Sequence, residues 1–283
     1  GVLQIIKKNF HYYMKPCRRK FPERHKIMEG KRQYLLDGLR GLTLISMILY
    51  HGMFDLVEIY GVHVSWFWRL PGIIWQQSIC WSFIILSGFC WNLSRNPVKN
   101  GLVVSAGGLL VSAVTWIFMP EERITFGILT FLGSAMLLLV LLKPLHEHIP
   151  SVLGFLGNAV LFFLTRDVNV GYWGTEAFRL GEVPKSWYQG WISTFLGFPP
   201  EDFFSGDYFS LVPWMFLYLS GYFLYDIVIE KKSFQKLMEV RIKPLEWIGR
   251  RSLLIYLLHQ PVVLLGLEAF WCVKDMLFKG YGI

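Results

Sequence analysis

Runs of about twenty residues without one ionisable side chain limit this chain more than any other feature of its sequence. Positions 73–93, 101–119 and 124–142 hold no Asp, Glu, Lys, Arg or His. A helix rises 1.5 Å per residue, so about 19–21 residues just cover a hydrocarbon core roughly 30 Å thick. Apolar stretches of that length predict helices at 39–57, 73–93, 101–119, 124–142, 149–165, 209–229 and 253–273. The fifth is short and contains Pro150, Gly154 and Gly157, and a Pro120-Glu121-Glu122-Arg123 turn separates the third from the fourth. The expected fold class is all-α, a polytopic membrane bundle of about seven helices. A basic segment, 1–31, precedes a single transmembrane domain at 32–283, with no internal repeat and no separate soluble domain. Only 17% of the 283 residues are charged, against about 25% in soluble domains. Together with the long uncharged runs, that excludes a cytosolic enzyme, a secreted disulfide scaffold and an ordinary DNA-binding domain.

The formal charge of +8 does not point to nucleic acid, because of where it sits. Basic residues gather at Lys15, Arg18, Arg19, Lys20, Arg24, Lys26, Lys31 and Arg32, and again at Lys231, Lys232, Lys236, Arg241, Lys243, Arg250 and Arg251. Both groups abut apolar spans, where cations set topology and touch anionic headgroups. Seven crossings place 20 of the 28 Lys and Arg on the side of the N-terminus. The expected orientation is therefore N-terminus in the cytoplasm and C-terminus outside. The long outer loop, 166–208, carries an aromatic stretch from Ser186 to Phe198 that suits an interfacial or re-entrant helix. Cys17, Cys80, Cys90 and Cys272 lack metal-ligand spacing, so neither a metal site nor a disulfide framework is expected.

The first span differs from the others in carrying charge. Arg40 and His51 are eleven positions apart, or about 20° after whole helical turns. Asp55 follows His51 by four and Asp37 precedes Arg40 by three, so all four fall within a sector of about 60°. An ionisable group at membrane depth costs on the order of 3 kcal/mol or more, so such a stripe must face protein or water. Arg40 lies at the cytoplasmic edge, where a guanidinium suits phosphate. His51 lies roughly 16 Å further on, near the midplane. A histidine titrates near neutrality and suits proton transfer or nucleophilic work there, with Asp55 one turn on to orient the ring. The pattern fits a phosphorylated donor entering from the cytoplasm with its reactive end inside the membrane. A purely structural salt-bridge stripe is the competing reading.

The stretch Leu36-Asp37-Gly38-Leu39-Arg40-Gly41, followed by Met47-Ile48-Leu49-Tyr50-His51 and Asp55-Leu56, resembles the opening helix of bacterial transmembrane acyltransferases. More narrowly, it resembles the bacterial members of the heparan-α-glucosaminide N-acetyltransferase family. Further support comes from Phe83-Ile84-Ile85-Leu86-Ser87-Gly88, Ile124-Thr125-Phe126-Gly127-Ile128-Leu129 and Gly206-Asp207-Tyr208-Phe209-Ser210-Leu211-Val212-Pro213-Trp214. The closing stretch Ile248-Gly249-Arg250-Arg251-Ser252 to Leu258-His259-Gln260-Pro261 completes five segments in order. The resemblance implies transfer of an acetyl group from cytoplasmic acetyl-CoA to a sugar or lipid-linked acceptor. It also implies that Arg40 and His51 form the functional pair, with His51 as general base or acyl carrier. Two positions depart from the family. Thr130 stands where members often have histidine, and His63 occupies the region where animal lysosomal members are thought to use one. The base therefore stays open between His51 and a second histidine.

His259 either belongs to the acyl-donor site or joins Gln260 in satisfying backbone groups near Pro261, which frees the Leu257 carbonyl. Arg250 and Arg251, with Asp37 and Arg95 nearby on the basic side, are candidates for the donor's phosphates or plain membrane anchors. Asp207 and Trp214 can hold a sugar by hydrogen bonding and stacking, or start and pack a helix. Gln76 and Gln77 either line the cavity or bond between helices. The rival function is a proton-coupled transporter using the same ionisable stripe. Expected partners are acetyl-CoA, the acceptor and the lipid bilayer, without nucleic acid. A homodimer is the default symmetric assembly.

Overall fold

A computed structural model of the chain describes residues 33–146, 148–229 and 231–279, without the side chains of 275 and 277–279. The basic segment 1–31 lies outside the described residues. In chain order the elements are α1 (Tyr34–Glu58), α2 (Leu70–Trp91), α3 (Pro97–Phe118), α4 (Ile128–His146), α5 (Ser151–Leu164), β1 (Tyr172–Thr175) and β2 (Phe178–Glu182). They continue with α6 (Gly190–Leu196), α7 (Leu211–Val228), α8 (Lys232–Met238), α9 (Lys243–Gly249) and α10 (Ser252–Lys279). Each expected span is occupied by a helix, and the fold is all-α and polytopic apart from one short hairpin. Among the described residues, six helices are long and apolar enough to cross a membrane: α2, α3, α4, α5 with the turn that follows it to Val170, α7 and α10. The 25-residue α1 has the length but carries the ionisable stripe.

The chain divides into two compact units, with the division inside α2 at Phe83–Ile84. In the unit formed by 84–235, α3 packs along α4 and α5 along α7. Lipid supplies no hydrophobic drive between helices, so small residues at the contact matter. A Cβ on Gly108 would lie 2.6 Å from Thr130, and one on Gly133 would lie 2.2 Å from Ser105 Oγ. Thr130, the position where the family pattern often has histidine, is thus packed against Gly108. Leu102, Leu109, Leu110, Ile117 and Phe118 leave the outer face of α3 exposed and apolar. The hairpin pairs β1 antiparallel with β2, and the Asp167 carboxylate anchors it by accepting from Glu176 N–H at 2.8 Å. The short α6 falls within the aromatic stretch of the loop and leaves Trp191 and Ile192 exposed. Its seven residues are too few to cross.

In the other unit, formed by 33–83 and 236–283, α1 is the central element and packs on α9 and α10. Leu44, Met47, Tyr50, Phe67 and Ile79 form its core, with Trp75 and Ile255 packed against them. The Trp75 indole N–H donates to Ser46 Oγ at 2.8 Å, fixing α2 on α1. The helix starts at Tyr34, five residues before the sequence expectation, because its first turn docks on α9. A Cβ on Gly41 would sit 2.1 Å from the Leu245 carbonyl oxygen, and one on Gly249 would sit 1.8 Å from that of Asp37.

These close approaches separate two glycines three residues apart. Gly41→Ala pushes a methyl group into backbone and is expected to lower stability by about 1–3 kcal/mol. Gly38→Ala meets nothing within 4 Å and is expected to be neutral or to add about 0.5–1 kcal/mol through helix propensity. Thermal unfolding of both variants in detergent checks this. Equal melting temperatures would contradict the docking of α1 on α9.

Candidate functional site

The stripe on α1 meets a matching stripe on α10. The His51 and His259 rings lie 4.9 Å apart between centroids, inclined at 55°. One turn beyond His51, Asp55 is 1% exposed, and its two oxygens accept from Gln260 Nε2 at 2.9 and 3.1 Å. Helical spacing accounts for the match: His51 and Asp55 are four apart and share a face, while His259 and Gln260 are adjacent on α10. Among the described residues, the amide of Gln260, not the ring of His51, is therefore the hydrogen-bond partner of the Asp55 carboxylate.

The tautomer of His259 follows from its surroundings. Its Nδ1 lies at the Tyr256 carbonyl, which can only accept, so Nδ1 carries the hydrogen. In the neutral ring Nε2 is then the lone-pair nitrogen, and it is buried without a hydrogen-bond partner among the described residues. The carbonyl engaged is that of Tyr256, one residue before the Leu257 carbonyl that Pro261 frees. Gln260 Oε1 is likewise buried and unpartnered. Two acceptors without donors on neighbouring residues are costly in a low-dielectric interior unless a ligand or water completes them.

At the Tyr34 end of α1 a second cluster forms. Arg40 Nη1 lies 3.0 Å from Asp37 Oδ1, and Arg250 Nε lies 3.7 Å from Asp37 Oδ2. Glu246 on α9, 2% exposed, accepts from Arg250 Nη2 at 3.0 Å and from two nitrogens of Arg241, each at 3.3 Å. The Arg241 guanidinium lies 3.9 Å over the Tyr34 ring. Among the described residues this cluster joins three guanidiniums and two carboxylates from α1, α9 and the residues that flank α9. Arg251 is separate from this cluster: it is exposed, donates to the Trp247 carbonyl at 3.3 Å and lies over the Trp247 ring. Gln76 is exposed on α2, His63 is exposed between α1 and α2, and Gln77 accepts from the Trp81 indole at 3.1 Å.

Asp207 and Trp214 belong to the unit formed by 84–235. Asp207 Oδ2 accepts from Ile128 N–H at 3.0 Å, so it caps α4 rather than the helix that follows it in sequence. Phe126 stands at φ +57 immediately before that helix start, which is why α4 begins at Ile128 and not at 124. Gly127 leaves the space: a Cβ there would lie 2.9 Å from Asp207 Oδ2. Backbone bonds from Phe209 N to Phe126 O (2.8 Å) and from Gly206 N to Arg123 O (3.0 Å) tie the two segments together. Trp214 is 7% exposed, packed by Phe162 and Phe209 with the Arg166 guanidinium 4.9 Å from its ring centre. Of the two readings the sequence leaves open for Asp207, sugar contact or helix cap, the described contacts supply a cap, on α4, and Trp214 is a packed aromatic.

Two residues escaped the sequence reading. Glu246 carried a usable signal, an acidic residue four positions before Arg250 within a basic stretch. Gln260 was visible only as a neighbour of Pro261, since nothing local pairs it with a residue 205 positions earlier.

Residues 32–261 match the family model described as heparan-alpha-glucosaminide N-acetyltransferase, catalytic. No curated protein and no solved structure matches the chain.

Asp207 gives this region a pH dependence. Desolvation raises its pKa from 3.8 to about 6, against the opposing hydrogen bond from the Ile128 amide. Between those values the unfolded chain has released a proton that the folded chain retains, so stability falls as pH rises. The contribution is complete below about pH 4 and lost above about pH 6. Asp207→Asn keeps an acceptor for Ile128 but cannot ionise. Its melting temperature is expected to gain on the wild type as pH rises from 4 to 7. A difference that stays constant over that range would contradict the assignment.

Proposed function

The chain belongs to the heparan-alpha-glucosaminide N-acetyltransferase catalytic family of acyltransferase-like membrane proteins, and we propose that it transfers an acetyl group from cytoplasmic acetyl-CoA to a sugar or other cell-envelope acceptor. The observation that carries this reading is the pairing of His51 with His259, 4.9 Å apart, beside a buried carboxylate in a chain that crosses the membrane.

In this reaction the acceptor's nitrogen or oxygen forms a bond to the acetyl carbonyl carbon, and the carbon–sulfur bond to CoA breaks. The attacking group must lose its proton, which His51 takes as general base. The Asp55 carboxylate, one turn away on the same face, stabilises the imidazolium that results. His259 Nε2 offers a second unprotonated nitrogen beside His51. A proton taken by one ring can pass to the other and then to the departing thiolate, which closes the proton balance. The acetyl-CoA phosphates need cations, and the guanidiniums of Arg40 and Arg250 stand together at the Tyr34 end of α1. The excess of Lys and Arg on that side supports a cytoplasmic placement of this end. About 16 Å separates Arg40 from His51 along the helix axis, a span that an extended donor can bridge.

Transfer of radiolabel from acetyl-CoA to glucosamine, or to an isolated cell-envelope fraction, tests the reading on protein purified in nanodiscs. The wild type is expected to transfer label. His51→Ala is expected to lose about 10²–10⁴-fold in rate, the usual worth of a general base, while acetyl-CoA still raises the melting temperature. A wild type that transfers no label, with no stabilisation by millimolar acetyl-CoA, would contradict the proposal and favour a transporter. Full activity in His51→Ala would move the base to His259.

A further inference from the structure

The acyl-transfer reading leaves one buried side chain without a task. Gln260 sits at the contact of α10 with α1 and turns its Nε2 to both oxygens of Asp55, at 2.9 and 3.1 Å. A carboxylate can only accept, so this contact fixes which end of the amide is which. Gln260 Oε1 must then point elsewhere, and it is buried without a partner. The residue before it, His259, also presents a buried and unpartnered acceptor in Nε2. His259 faces His51 and Gln260 faces Asp55, and those two residues are one turn apart on α1. Both orphan acceptors therefore lie within the same turn of the α1–α10 contact.

We propose that Gln260 is the positioning residue of this site: it clamps Asp55 in place and, with His259 Nε2, presents a pair of acceptors to the proton-bearing nucleophile of the acceptor molecule. The inference rests on the acyl-transfer reading and deepens it. A hydroxyl or amine entering this seam brings the donors that the two acceptors lack, which removes the cost of leaving them unsatisfied. The same contact orients the nucleophile with its proton toward histidine nitrogen before attack begins. Holding Asp55 is the second part of the role. Without the Nε2 donor its carboxylate would face the membrane interior with no partner among the described residues, and its charge would no longer be fixed beside His51. Gln260 acts through Asp55 and through the placement of the nucleophile, so its loss should appear in turnover and not in donor affinity.

Gln260→Met keeps the side chain's length and approximate volume while removing both polar ends, and Gln260→Asn keeps the amide but withdraws it by one methylene. Both are compared with the wild type in nanodiscs, using acetyl-CoA as donor and glucosamine or the envelope fraction as acceptor probe. Gln260→Met is expected to lower kcat by about 10- to 100-fold, as loss of an orienting partner typically does, with the KM for acetyl-CoA unchanged within about twofold. Gln260→Asn is expected to fall between Gln260→Met and the wild type, and it carries the test alone if Gln260→Met does not fold. In an Asp55→Asn background, Gln260→Met should cost much less than it does alone, because the two residues act as one unit. A Gln260→Met enzyme with wild-type kcat, or one that loses only donor affinity, would overturn the inference and leave the acyl-transfer reading standing. A wild type inactive with both probes would instead bring down that reading and the inference with it.

Discussion

A buried carboxylate has to be held by something, and Asp55, 1% exposed, is the group on which the α1–α10 arrangement depends. Left alone there it would cost several kcal/mol. The amide of Gln260 meets both of its oxygens, and this contact fixes α10 against α1 in a single register. Once that register is set, His259 can only lie opposite His51. The docking of α9 lower on α1, where Gly41 meets the Leu245 carbonyl and Gly249 meets that of Asp37, makes the same register rigid from the other end. Side-chain volume is absent where backbones must touch, and polar pairing is present where charge must be buried.

Along α1 the chemistry is graded. Asp37 and Arg40 at its start join Arg250, Arg241 and Glu246 in one ion-pair network. Glu246 holds two arginines at once from a nearly fully buried position, which keeps their guanidiniums from collapsing onto either carboxylate singly. Three turns later the charges give way to two imidazoles, and one turn after that to the clamped carboxylate. On the proposed function, anion recognition and proton transfer are separated by about 16 Å of one helix. The separation matches a donor whose phosphates and thioester lie at opposite ends.

Much of this was legible in the sequence, because membrane-crossing helices are written as uncharged runs and a polar stripe among them stands out. The positions of all seven spans and the alignment of Asp37, Arg40, His51 and Asp55 on one face follow from length and helical period alone. Pairings between distant segments do not. Gln260 meets a residue 205 positions away, and Asp207 caps a helix that begins 79 positions before it. No local period encodes either contact. The start of α4 moved from 124 to Ile128 for a related reason: Phe126 takes a left-handed conformation that only the tie to 206–209 makes worthwhile. Trp214 stayed open between stacking on a sugar and packing because an aromatic at a helix mouth looks the same in sequence whether it meets a ligand or, as here, Phe162, Phe209 and Arg166.

The division of labour along α1 is best tested by steady-state kinetics with acetyl-CoA as the varied substrate, comparing Arg250→Ala with His259→Ala. The account predicts that Arg250→Ala raises the KM for acetyl-CoA while leaving kcat within a few-fold, since it removes binding that is the same in the ground and transition states. It predicts the reverse for His259→Ala, a fall in kcat with the KM for acetyl-CoA unchanged. If both variants shifted the same parameter, or if Arg250→Ala lowered kcat alone, donor binding and proton transfer would not be divided between the two clusters, and the account would be wrong.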